Sequence, residues 1–235
     1  MRSIIPRCGM MAEGGTFNLS HLIQTAEWIN KEKVIAIVRG VDSNLCMKVA
    51  DALYVGGIRL MEITYNQSNP DSWSATALAI KDIATKYEGK MLVGAGTVTN
   101  VHLVEITADA GGLYVISPNT DVDVIRKTKD LGLISIPGAM TPSEILTAYN
   151  AGADFVKLFP ASDLGIPYLK AIRAPISHVP LIATGGINAG NAKSFLDAGA
   201  VGLGVGGSLA NKNVIASGEF GKLTDAAEEL LSAIK

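Results

Sequence analysis

From about residue 20 onward the chain alternates short, almost wholly apolar runs with longer stretches in which apolar residues recur every three or four positions. The short runs are KVIAIVR, IRLMEITY, KMLVGAG, LYVIS, LISIP, DFVKLF, VPLIA and AVGLGVG. Apolar at successive positions rather than alternate ones, they read as strands buried on both faces, the condition of a parallel sheet covered by helices. The stretches between them, such as SNLCMKVADALYVGG and TPSEILTAYNAGA, carry helical spacing. Ser43 is read as opening the first of these helices. Thr141-Pro142-Ser143-Glu144 combines a capping hydroxyl, a proline at the first helical position and an acid in the first turn.

The helical stretches end alike. Val55-Gly56-Gly57, Ala110-Gly111-Gly112, Ala151-Gly152-Ala153 and Ala198-Gly199-Ala200 each stand just before a strand run, and Asp130-Leu131-Gly132 does so before LISIP. Glycine directly past a helix takes the left-handed conformation from which a strand can start at once. Eight strand-helix units without a proline- or serine-rich linker predict one α/β domain, a single (β/α)8 barrel. The structural rival is an open, doubly wound sheet. The 235 residues match the roughly 200–250 of such a barrel. An extra N-terminal helix, about 20–31, is expected to close the barrel bottom, and TDAAEELLSAIK to form the last amphipathic helix. Residues 1–17 are expected to be a leader outside the fold, with Met10 and Met11 as alternative starts, and residues 18–235 the barrel domain.

Composition narrows the function. Charged residues are only 18% of the chain and hydrophobic ones 48%, which suits strands packed on both faces. A net charge of −2 supplies no field for nucleic acid. No apolar run approaches a membrane span, and the apolar part of the leader is too short for a secretory signal. Cys8 and Cys46 are the only cysteines and have no zinc-site spacing, so a reducing, cytoplasmic setting is expected. His21, His102 and His178 are scattered, and neither metal nor organic cofactor is expected.

In a parallel barrel, chemistry gathers at the C-terminal ends of the strands. Polar residues that a core would otherwise reject are therefore the candidates. Lys157, inside DFVKLFP, is flanked by apolar residues. Desolvation there favours the neutral amine, the form that attacks a ketone. The bland alternative is a lysine paired structurally with a carboxylate. Glu62 sits mid-strand in LMEIT, where alternation puts it with Leu60 and Thr64 on one face. It is either half of an ion pair or a proton shuttle. Gly185 and Gly186 follow the seventh run, and Gly206, Gly207 and Ser208 follow the eighth. Loops there, with a helix N-terminus behind them, are the usual phosphate site of a barrel. Thr97 ends the third strand with a hydroxyl. Ser117-Pro118-Asn119 shapes the loop after the fourth, and Arg39 ends the first, where it can hold an anion or make an ordinary salt bridge.

Taken together, KVIAIVRG, GGIRLMEITY, VGAGTV, ISPNT, IPGAMTPSE, DFVKLFPA, ATGGIN and GVGGSLA stand in an order and at intervals that resemble the 2-keto-3-deoxy-6-phosphogluconate (KDPG)/4-hydroxy-2-oxoglutarate (KHG) aldolases. The resemblance runs from about Lys33 to Ala210. It implies a Schiff-base aldolase that cleaves a phosphorylated 2-keto sugar acid to pyruvate and an aldehyde. Lys157 would be the imine-forming lysine and Glu62 the general acid/base. Thr97, Pro118, Phe159 and Arg39 would face the substrate, and Gly185, Gly186, Gly206, Gly207 and Ser208 would hold phosphate. The resemblance also implies a homotrimer and a small-molecule substrate as the partner. Two departures stand out. Asn66 replaces an arginine that some members carry four residues after the glutamate, and Ala183 replaces the proline of Pro-Thr-Gly-Gly. Within the same chemistry the rival substrates are the galactonate epimer, an unphosphorylated hydroxy-oxoglutarate and a sulfonated analogue. The rival classes are a phosphosugar isomerase or epimerase, which needs no imine, and a non-catalytic barrel.

Overall fold

The computed structural model describes residues 19–235; the expected leader and Cys8 lie outside them. The strands are β1 (Val34–Val38), β2 (Leu60–Thr64), β3 (Leu92–Gly96), β4 (Tyr114–Ile116), β5 (Ile134–Ile136), β6 (Gly138–Ala139), β7 (Val156–Leu158), β8 (Leu181–Thr184) and β9 (Gly202–Val205). Every pairing is parallel, in the order β5-β4-β3-β2-β1-β9-β8-β7-β6. The expected eight strands thus occur as nine segments. β5 and β6 are one run interrupted at Pro137, which has no N–H to donate to a ladder. The two ends of the series meet across that run. Asp154 N donates to Ser135 O at 3.0 Å, Lys157 N to Pro137 O at 2.8 Å and Phe159 N to Ala139 O at 3.1 Å. The sheet is a closed (β/α)8-type barrel, and the doubly wound alternative is excluded.

Around it lie α1 (Leu19–Glu32), α2 (Ser43–Val55), α3 (Trp73–Lys86), α4 (Val101–Asp109), α5 (Val122–Asp130), α6 (Pro142–Asn150), α7 (Ala161–Arg173), α8 (Ala192–Asp197), α9 (Lys212–Ser217) and α10 (Gly221–Ala233). α2 opens at Ser43 as expected, with its cap one residue earlier. Asp42 is the N-cap, its carboxylate accepting from Asn44 N at 3.0 Å, and Ser43 is already helical. A carboxylate outcompetes a hydroxyl there because it also meets the positive helix end. Thr141 caps α6 as expected, in a capping box with Glu144. The five terminal glycines Gly57, Gly111, Gly132, Gly152 and Gly199 all have positive φ.

Two apolar layers follow from strand alternation. Val34, Ala36, Val38, Met61, Ile63 and Val93 point outward into the helices. Ile35, Leu60, Leu92, Tyr114, Ile134, Phe155 and Ile182 fill the barrel, joined by Ala26 and Ile29 of α1, which plugs its lower end. At the closing seam Asp154 accepts from Ser135 N at 2.8 Å and pairs with Lys129 Nζ at 2.7 Å, both side chains nearly enclosed. This buried pair ties the start of β7 to β5 and α5.

Candidate active site

β7 is three residues long. Val156 and Leu158 belong to the outer layer, so alternation turns Lys157 into the barrel, where it is 3% exposed. The same logic on β2 sends Met61 and Ile63 outward and Glu62 inward, 0% exposed. Neither Glu62 carboxyl oxygen has a protein hydrogen-bond partner. Burial is the largest influence on both groups. It pushes the Glu62 carboxyl up against the opposing pull of Lys157 and Arg39. It pushes Lys157 down, against Glu62 and with the help of Arg39. An enclosed carboxyl held towards its acid form faces an amine held towards its neutral form. That combination supplies a nucleophile for a carbonyl carbon and a proton for its oxygen.

The carboxyl is placed by a missing side chain. A Cβ on Gly96 would stand 2.5 Å from Glu62 Oε1 and 2.8 Å from its Cδ, so the glycine of the GAGT turn makes the room Glu62 occupies. Next to it, Thr97 has φ 58°, rare for a β-branched residue, and its buried hydroxyl has no protein partner. Its carbonyl accepts from Gln67 Nε2 at 2.6 Å, and Gln67 Oε1 accepts from Thr99 Oγ1 at 2.9 Å. Strain of this kind persists where surrounding structure over-determines it, here through the Gln67 clasp.

Above Lys157 opens a cleft of about 610 Å³ that includes Arg39, Phe159, Thr184 and both glycine loops. Glu62 lines a smaller space that also touches Lys157, Thr184 and Gly204. The Lys157 ammonium position is 5.0 Å from the Phe159 ring centre. Among the described residues the backbone N–H groups of Gly186, Ile187, Gly207 and Ser208 have no protein acceptor. The Ser208 hydroxyl donates to Ile187 O at 2.9 Å, so what Ser208 offers an anion is its amide. A second cavity, about 490 Å³, lies at the opposite barrel end between α1, α3 and α4, remote from this chemistry.

A family model, "Aldolase: KDPG and KHG aldolase", matches residues 25–226. The chain belongs to the KDPG and KHG aldolase family. It is therefore related to carbon-carbon lyases, as the ordered motifs imply. It is 34% identical over 184 residues to the 2-dehydro-3-deoxy-6-phosphogalactonate aldolase of Escherichia coli K12, covering 78% of this chain and 87% of the relative. To the KHG/KDPG aldolase of the same organism it is 32% identical, covering 80% and 85%. Among solved structures, the Legionella pneumophila KDPG aldolase with pyruvate captured as a covalent carbinolamine superposes with a TM-score of 0.78. It is 25% identical and covers 87% of this chain and 97% of that one.

Of the residues singled out for this aldolase from sequence, Lys157, Arg39, Phe159, Gly185, Gly186, Gly206, Gly207 and Ser208 line the one cleft. Glu62 lies in the adjoining smaller space, and Thr97 follows the glycine that abuts it. Pro118 is not among the cleft residues; its carbonyl backs Gly138, on the β6 side of the seam. Asn66 is exposed, its side chain accepting from Ser68 N and its carbonyl from Trp73 Nε1. Sequence reasoning missed Thr184, Gln67 and Lys212. The signal for Lys212 was a cation four residues past Ser208. For Gln67 there was none, because its partners Thr97 and Thr99 come from another loop. His102 packs by Trp73 and His178 by Tyr149, outside the cleft.

Proposed function

We propose that the protein is a Schiff-base aldolase whose Lys157 amine attacks the C2 ketone of a 2-keto-3-deoxy-6-phospho sugar acid, KDPG. The carrying observation is the enclosed pair of Lys157 and Glu62 beside the glycine loops. Lys157 forms the C–N bond at C2. Glu62, directly or through water, protonates the departing oxygen, and water leaves to give the iminium. The C4 hydroxyl then loses its proton, the C3–C4 bond breaks and its electron pair passes into the iminium as an enamine. Glyceraldehyde 3-phosphate departs, and protonation at C3 followed by hydrolysis frees pyruvate. Thr97 and Phe159 contact the keto acid, and Arg39 with the loops of Gly185, Gly186, Gly206, Gly207 and Ser208 receives the phosphate. The same centre serves 4-hydroxy-2-oxoglutarate, giving pyruvate and glyoxylate.

A second reading, the galactonate epimer, is favoured by two relatives named for it: that of Escherichia coli, and one of Rhizobium meliloti that is 37% identical. Both epimers yield the same products, so each substrate must be assayed separately. Family resemblance further supports a homotrimer, which sedimentation velocity reads directly. A cytoplasmic setting rests on the two-cysteine composition; no described helix is long and apolar enough to cross a membrane.

Incubation with pyruvate and borohydride tests the imine. The expected outcome is a reduced pyruvyl adduct on the peptide containing Lys157, absent in Lys157→Met. Folded protein that yields no adduct, where a known imine aldolase does, overturns the reading in favour of an isomerase or a non-catalytic barrel.

A further inference from the structure

Two cations stand at the cleft with no carboxylate partner among the described residues, Arg39 after β1 and Lys212 at the start of α9. What seats Lys212 is an absent side chain. A Cβ on Gly40 would stand 2.7 Å from Lys212 Nζ and 3.3 Å from its Cε. The lysine is laid back over the Arg39-Gly40 turn, with its ammonium in space that any other residue 40 would fill. Gly40 also has φ +62°, so a glycine is favoured there twice over.

Both side chains are exposed, so water keeps their mutual repulsion small and leaves both free to meet an anion entering the cleft. The same cleft wall carries the unpaired amides of Gly207 and Ser208. Two cations with bare amides match a group that carries close to two negative charges, as a phosphate monoester does near neutral pH. A single carboxylate would leave charge over.

We propose that Lys212, seated over Gly40, binds the terminal phosphate together with Arg39 and the amides of the second glycine loop. In this role it sets the preference for a phosphorylated over an unphosphorylated aldehyde. The proposal rests on the aldolase reading and names a determinant of its substrate class.

The test runs the reaction towards condensation, pyruvate with either glyceraldehyde 3-phosphate or glyceraldehyde, and compares the kcat/KM ratio of the two aldehydes. In Lys212→Met, which keeps most of the volume, the ratio falls roughly tenfold at low ionic strength, mainly through KM for the phosphorylated aldehyde. The salt dependence of that KM weakens as well. Lys212→Arg restores much of the ratio, and Gly40→Ala lowers it by displacing the ammonium. Deuterium exchange at the pyruvate methyl separates the two readings, since it needs the imine but no phosphate. No exchange in the unmodified protein defeats the aldolase reading itself. Exchange with a ratio in Lys212→Met within about twofold of the parent overturns only the assignment of Lys212.

Discussion

Gly96→Ala should disable proton transfer while leaving the barrel folded. Its φ lies outside the left-handed region, so alanine is tolerated by the backbone and only the new methyl matters. That methyl would stand 2.5 Å from Glu62 Oε1 and 2.9 Å from Thr64 Cγ2. Ordinary carbon contacts are about 3.5 Å, so the carboxyl must retreat by about 1 Å. It cannot retreat freely, because Glu62 is fully enclosed. Overpacking of this size costs about 1–3 kcal/mol of stability. A misplacement of about 1 Å in a catalytic group costs about a hundredfold in rate. Deuterium exchange into pyruvate, followed by proton NMR, reads the rate, and thermal melting reads the stability. Gly221→Ala, at a position with nothing within 4 Å, is the control for glycine replacement as such. A folded Gly96→Ala protein that exchanges within about threefold of the parent would falsify the placement of Glu62 as the proton shuttle.

Two further predictions follow from charge and burial. Burial and Arg39 both lower the Lys157 pKa while Glu62 raises it, with burial the largest influence, so borohydride trapping should rise with pH to an inflection below that of an ordinary lysine. Arg39→Met removes a lowering influence and moves that inflection up, whereas Glu62→Gln removes a raising one and moves it down. A downward move in Arg39→Met would contradict the assigned electrostatics. Asp154→Asn removes the buried carboxylate from the pair and leaves the largely enclosed Lys129 without its partner, which should cost about 3–5 kcal/mol. At about 2–4 °C per kcal/mol for a chain of this size, the melting temperature should drop by roughly 10 °C. Unchanged melting would mean that the seam does not depend on the pair.

The β/α alternation, the plugging helix and the strand-end glycines were legible in the chain because each depends on residues a few positions apart. Lys157 and Glu62 stood out for the same reason: a charged residue inside an apolar run conflicts with its own neighbours. What one strand run cannot report is how it meets another. The break at Pro137 shows only where Lys157 N, Pro137 O and their neighbours close the barrel. The role of Gly96 exists only because Glu62 comes from the adjacent strand. Gln67 acts on Thr97 from 30 residues away, and Lys212 reaches Gly40 from the other end of the chain. The sequence by itself determined the periodic elements and the two residues that offend them, since those are local contests between side chain and environment. Only the tertiary structure decided which loops share a cleft, which carboxyl is left without a partner and where the second cation sits, because closing a barrel makes neighbours of residues far apart in the chain.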